Sequence, residues 1–234
     1  MNVSITKLPT LVSAALALAF TLSSSAFGEV LLEDDFSPGS GESSPSSVAA
    51  RHPSKGPNWE GMAMVKEGLV HDQELVFSAA YSEINVPSDF KKLIVKICYR
   101  PMCGLQIGFG FANSAQNLLD NRGPNAGLMW VNTAARQVML HAGIYGSGEN
   151  VEGLPIPSTV PIPKLVEMEF EVENPDTGTY LGRIVANGQE LASQEVTPTQ
   201  PPTFRYFFIQ FRGEEGKAPN QAIVEHVSVE VESK

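Results

Sequence analysis

The sequence predicts an all-β fold, two antiparallel sheets packed as a sandwich, and three observations carry that expectation. Short runs of alternating apolar and polar residues recur from Trp59 to the C-terminus. No longer window downstream of the N-terminal segment has a helical period. Twenty glycines and seventeen prolines punctuate the 234 residues at the spacing of turns in sandwiches and barrels.

The N-terminus reads as an export signal over 1–28. Lys7 supplies the positive charge, Leu11 to Leu22 the apolar run, and Ala26 and Gly28 the small residues before a cut at Glu29. That run has 12 residues, short of the roughly 20 that span a bilayer, and no comparable stretch follows, so no membrane span is expected. Residues 29–234 form one domain, and the expected location is secreted or periplasmic.

The mature chain opens on a strand, Glu29 to Phe36. A Ser/Pro/Gly-rich tract over 37–57 follows and reads as a long flexible loop, because it has too little apolar surface to order itself. Then come the strands. Leu93, Val95 and Ile97 share one face. Ile107, Phe109 and Phe111 share another, with Gly108 and Gly110 opposite, where something must pack closely. Gly127–Val131 and Gln137–His141 read as a hairpin, and Leu165–Glu173 alternates cleanly. Tyr180–Val185 and Glu190–Val196 flank Asn187-Gly188, a two-residue turn whose central positions need positive φ. Phe204–Phe211 and Ala222–Val231 close the set.

Removing the signal takes out one charged residue, Lys7, and leaves 15 basic against 26 acidic residues, a net of −11. That balance excludes the basic footprint that nucleic acid or an anionic membrane surface requires. The two cysteines, Cys98 and Cys103, are expected to form a disulfide in an oxidising compartment, stapling a hairpin. The alternative, a redox pair, usually has two intervening residues at a helix start.

Four stretches carry a family resemblance. Leu32-Glu33-Asp34-Asp35-Phe36-Ser37 resembles the opening of bacterial exported concanavalin A-like (laminin-G-like) domains. Lys164–Phe170 and Gly182–Gly188 resemble their central strand and hairpin, and Ile223–Val231 their last strand, which pairs back near the first. The resemblance implies a jelly roll with one concave face and a role in binding or cleaving glycans, between which fold alone does not choose. Where relatives often carry Asp-Asn near the end, this chain has Glu225-His226.

Three candidate sites follow. Glu167, Glu169, Glu171 and Glu173 share a strand face at steps of about 6.6 Å. Their spacing resembles the Glu-x-Asp-x-Glu strand of jelly-roll glucanases (glycoside hydrolase family 16), whose two carboxylates lie about 5 Å apart. Glu169 stands where the aspartate would be. The alternative is a solvated outer face that also protects an edge. Trp130, Asn132, Tyr145, Asn113 and Gln116 are candidates for a carbohydrate platform, since sugars stack on flat aromatics beside polar neighbours; Trp130 reads equally as a core residue. Asp34, Asp35 and Glu225 could supply oxygens to calcium if the first and last strands pair. Alternation puts Glu225 on the face of Val227, Val229 and Val231. His52, His71, His141 and His226 show no ligand spacing, and no nucleophile elbow or zinc-protease run occurs. The expected function is an exported, non-catalytic module binding a polysaccharide. The alternatives are a hydrolase or lyase on the same fold, or a structural or adhesive module with a protein partner, tethered through 37–57. No cofactor is expected, calcium aside.

Overall fold

The computed structural model describes residues 28–37, 46–70, 72, 75, 77–100, 105–115, 127–134, 137–142, 150–152, 166–174, 177–186, 188–197, 202–213 and 223–234. The expected signal segment 1–27, Cys103, Gln116, Tyr145 and His71 lie outside these residues.

The strands form two antiparallel sheets. The nine-stranded sheet contains β1 (Glu29–Asp34), β2 (Ser46–Ser47), β4 (Met64–Val65), β5 (Leu69–Val70), β7 (Phe90–Tyr99), β12 (Val166–Glu173), β13 (Tyr180–Ala186), β14 (Gln189–Val196) and β16 (Ile223–Ser233). Its order is β14-β13-β12-β7-β16-β5-β4-β2, with β1 also on β16. The seven-stranded sheet contains β3 (Glu60–Gly61), β6 (Phe77–Glu83), β8 (Leu105–Ala112), β9 (Gly127–Ala134), β10 (Gln137–Ala142), β11 (Asn150–Glu152) and β15 (Tyr206–Gly213). Its order is β11-β10-β9-β8-β15-β6-β3. Among the described residues the only helical element is one 3₁₀ turn, Val48–Ala50.

Alternation built this arrangement. Leu93, Val95, Ile97, Met168, Phe170, Val172, Val227, Val229 and Val231 point from the larger sheet into one core. Ile107, Phe109, Phe111, Val138, Leu140, Phe207, Ile209 and Phe211 meet them from the smaller sheet. Phe111 spans the layer, its ring 6.1 Å from Phe170 and 6.0 Å from Phe207. Each such side chain contributes about 1.5–3 kcal/mol on burial. The expected hairpins form: β13 pairs β14 across Gly188 at φ +76°, and β9 pairs β10. The last strand pairs with the first, Asp34 opposite Val227.

Four sequence expectations are corrected. β7 and β8 are not a hairpin: they lie in different sheets. The row of glutamates is not on an edge, because β12 has β7 and β13 on its two sides. Glu225 does not continue the face of Val227: the register shifts between Val224 and His226, and this β-bulge inserts one residue and reverses the alternation. The 37–57 tract is not one loose loop. From Ser46 onward it is held by β2 on β4, by the fully buried Val48, and by Arg51, only 8% exposed. Composition missed this because two side chains, rather than a general apolar surface, anchor the segment.

Candidate functional site

The outward face of the seven-stranded sheet, away from the core, is organised in cross-strand rows. Because Phe207, Ile209 and Phe211 of β15 enter the core, the positions that alternate with them, Phe208 and Gln210, lie on the other face, where both are buried. Pairing then aligns Tyr81, Phe208, Gly110, Trp130, His141 and Asn150 in one row. The adjacent row runs Ala79, Gln210, Gly108, Asn132, Met139. Gly108 and Gly110 therefore put two positions without side chains at the middle of this face, between Phe208 and Gln210 on one flank and Trp130 and Asn132 on the other.

Toward the end of the sheet the face becomes aromatic. Phe208 packs with Ala112, Tyr81, Ala115 and Tyr206; the two tyrosine rings meet edge to face at 6.1 Å. Tyr81 donates its hydroxyl to Glu60 Oε2 at 3.0 Å. Burial first, then Glu60, pushes the Tyr81 phenol up to about 12, so it stays a donor at neutral pH. Asn113, just past β8, turns its side-chain oxygen to Thr203, accepting from the backbone N–H at 2.7 Å and the hydroxyl at 2.9 Å. Sequence reasoning missed Tyr81, Tyr206 and Phe208. Tyr81 lies over a hundred residues before the other two, and only the β6–β15 register joins them; the alternation of Tyr206 and Phe208 against Phe207 and Ile209 was the available signal.

The glutamates lie elsewhere, on the outward face of the nine-stranded sheet. Glu167 and Glu169 are exposed. Glu171 pairs with Lys92, and Arg183 Nη1 sits 2.9 Å from Glu173 and 3.9 Å from Glu171. Lys96, opposite Glu169 in register, reaches Glu230 at 2.8 Å. The acidic row is thus interlaced with cations on a sheet surface remote from the aromatic face.

The calcium candidates are not brought together. Asp34 is fully buried and Arg51 holds it, Nη2 at 2.6 Å from Oδ1 and Nε at 2.8 Å from Oδ2. Trp59 Nε1–H donates to Oδ2 at 2.8 Å and the Phe36 N–H to Oδ1 at 2.8 Å. Every strong acceptor direction of the carboxylate is taken by a protein donor. Asp35 is exposed; the Ser37 N–H beside its carboxylate lowers its pKa, with a smaller contribution from Arg51. Glu225 pairs with Arg100, Nε at 2.8 Å. Among the described residues no three His, Cys, Asp or Glu side chains are grouped to hold a metal ion.

Among the described residues Cys98 is an unpaired thiol, and Cys103, its expected disulfide partner, lies outside them. Cys98 alternates with the core residues Ile97 and Tyr99, so it faces outward, between Glu167 on β12 and His226 on β16. Burial first, then Glu167 and Glu225, push the thiol up to about 11, partly offset by Arg100. The neutral thiol is therefore favoured in the folded state. Its contribution to stability is complete below the ordinary thiol value of 9.0 and is lost as pH rises toward about 11. Alkylation of the native protein at pH 8 is expected to be slow at Cys98, and unfolding without reductant should expose it to one label; mass spectrometry that finds Cys98 blocked until reduction refutes the free thiol.

No family model and no curated protein matches this chain. Solved structures do. The Emp47p carbohydrate recognition domain aligns at TM-score 0.52 and 8% identity, over 80% of this chain and 94% of that one. The VIP36 exoplasmic/lumenal domain in its Ca2+/Man2-bound form aligns at 0.48 and 10% identity, over 86% and 87%. The catalytic domain of an endo-1,3-beta-glucanase (laminarinase) from Thermotoga petrophila aligns at 0.47 and 14%, over 89% and 100%. This is a concanavalin A-like fold. Identities this low speak to the concanavalin A-like architecture and to nothing chemical. Among the described residues no helix is long and apolar enough to cross a membrane.

Proposed function

We propose that residues 29–234 form an exported, non-catalytic recognition module that binds a polysaccharide across the outward face of the seven-stranded sheet. The observation that carries this reading is the pair of rows in which Gly110 stands between Phe208 and Trp130, and Gly108 between Gln210 and Asn132. Trp130 is assigned as the stacking surface and Asn132 as the amide that reads hydroxyls; Gly108, Gly110, Phe208 and Gln210 are buried, so contact with a sugar is assigned to the Trp130 flank. Asn113, just past β8, and Gln116 and Tyr145, outside the described residues, are proposed as further sugar contacts. Export rests on the 1–28 segment. Binding is assigned to the protein's own side chains, without calcium.

The test is a polysaccharide panel, following both retention of the purified domain and release of reducing or unsaturated ends. Retention without cleavage is expected, weakened about tenfold or more by Trp130→Ala, the loss of one stacking aromatic, and unchanged by a chelator. Cleavage of any panel member would replace this reading with a hydrolase or lyase, and Glu167→Gln and Glu171→Gln would then be the variants to assay. Loss of retention on chelation would restore a calcium site.

A further inference from the structure

A pocket of 430 Å³ opens where β6 ends and β15 begins, lined by Glu83, Ile84, Asn85, Val86, Pro87, Thr203 and Arg205. It is a broad depression open to solvent, so it would grip a ligand from one side only. The floor is apolar: Ile84 is buried, and Val86 and Pro87 are half-buried. The rim is polar and charged. Arg205 lies 2.7 Å from Glu83 through Nη2 and donates from Nε at 2.8 Å, with both side chains about half exposed to solvent. The guanidinium lies 5.5 Å from the centre of the Tyr206 ring, so the rim runs into the aromatic end of the sheet face.

The two walls are held rigidly. The Ile84 N–H donates to the Arg205 carbonyl at 2.8 Å. Between Thr203 and Arg205, Phe204 adopts φ +47°, a conformation rare for a bulky residue. Its ring is driven into the core, 5.3 Å from Phe90 and 5.8 Å from Phe111. Anchoring that ring turns the exposed Thr203 and Arg205 to the pocket side. Strain of this kind, about 1–3 kcal/mol, persists only where the surroundings over-determine it, and it clusters at ligand clamps.

We propose that this pocket binds one residue of a neutral hexose or pentose glycan, with Glu83 and Arg205 gripping neighbouring hydroxyls as acceptor and donor. A sugar hydroxyl both donates and accepts, so a carboxylate beside a guanidinium matches a pair of vicinal hydroxyls. Asn85 and Thr203 add an amide and a hydroxyl at the rim. An acidic sugar fits poorly, because its carboxylate would compete with Glu83 for Arg205 and place two negative charges side by side. The pocket deepens the glycan reading, on which it rests, by naming a neutral sugar and the residues that select it.

The experiment is a titration of the full mature domain with methyl glycosides of glucose, galactose, mannose and xylose, and with methyl glucuronide, followed by amide chemical shifts. The amides of Ile84–Val86 and Thr203–Arg205 are expected to shift saturably with at least one neutral glycoside. Glu83→Gln and Arg205→Gln, both surface changes, should each weaken that binding about tenfold or more, as expected for a hydrogen bond to a charged group. No shift at these amides overturns the pocket, as does an equal response to methyl glucuronide. Polysaccharide retention, and its dependence on Trp130, is a separate readout. Retention that survives both rim variants, with silent pocket amides, removes the pocket and leaves the sheet-face reading standing. Shifting pocket amides with retention unaffected by Trp130→Ala moves recognition from the face to the rim.

Discussion

Arg51→Ala is expected to lower the unfolding free energy by about 3–5 kcal/mol, the cost of stranding a buried charge. Asp34 is fully buried, and Arg51 supplies its paired donors at 2.6 and 2.8 Å. Removing the guanidinium leaves the Trp59 indole and the Phe36 N–H to satisfy a full negative charge in the core. The same guanidinium donates to the Ser37 carbonyl at 2.6 Å and lies 5.6 Å from the centre of the Phe36 ring, so the turn after β1 loosens as well. For a domain of this size the melting temperature should fall by about 10 °C. A double change, Asp34→Asn with Arg51→Met, should recover part of the loss, because it removes the stranded charge together with its partner. Urea unfolding of the four members of the cycle measures this. A loss under about 1 kcal/mol for Arg51→Ala would mean that water replaces the guanidinium and the knot is not sealed.

Gly61→Ala should cost about 4 kcal/mol, through two effects of about 1–3 kcal/mol each. Gly61 sits at φ +121°, where an L side chain is strained. A Cβ there would lie 2.1 Å from the Ala79 carbonyl oxygen and 3.1 Å from the Ala80 Cα. That oxygen cannot retreat cheaply, since it accepts from the N–H groups of Met62 at 2.8 Å and Ala63 at 3.0 Å. The whole β3–β6 contact must therefore shift. Gly178→Ala is the matched control: its φ is also positive, at +75°, but nothing lies within 4 Å of the added carbon. Thermal unfolding of the two variants side by side separates steric cost from backbone cost, and equal losses would refute the clash.

Most of the strands were legible because each records its own burial. Leu93, Val95 and Ile97 alternate in the sequence and enter the core in the structure, and Asn187-Gly188 marks its hairpin because the turn chemistry is local. Errors arose where alternation breaks or where a partner is distant. The bulge at Glu225 costs one residue and reverses a face, and no residue type announces it. Arg51 lies in a polar tract that composition assigns to a loop, yet one buried carboxylate 17 positions earlier fixes it. The Cys98 to Cys103 segment has the look of a hairpin because local turn chemistry does not reveal that the strands on its two sides, β7 and β8, belong to different sheets.

The sequence by itself determined the all-β class and the inward faces of the main strands, since period-two burial and turn propensity are properties of neighbouring residues; the pairing of the last strand with the first was implied by the family resemblance alone. Only the tertiary structure decided which surfaces share chemistry. It set the glutamate row against Lys92 and Arg183, Asp34 against Arg51, and Glu83 against Arg205. Each of these pairings joins residues many positions apart, and it is strand order and register, not any local pattern, that bring them within a few ångströms.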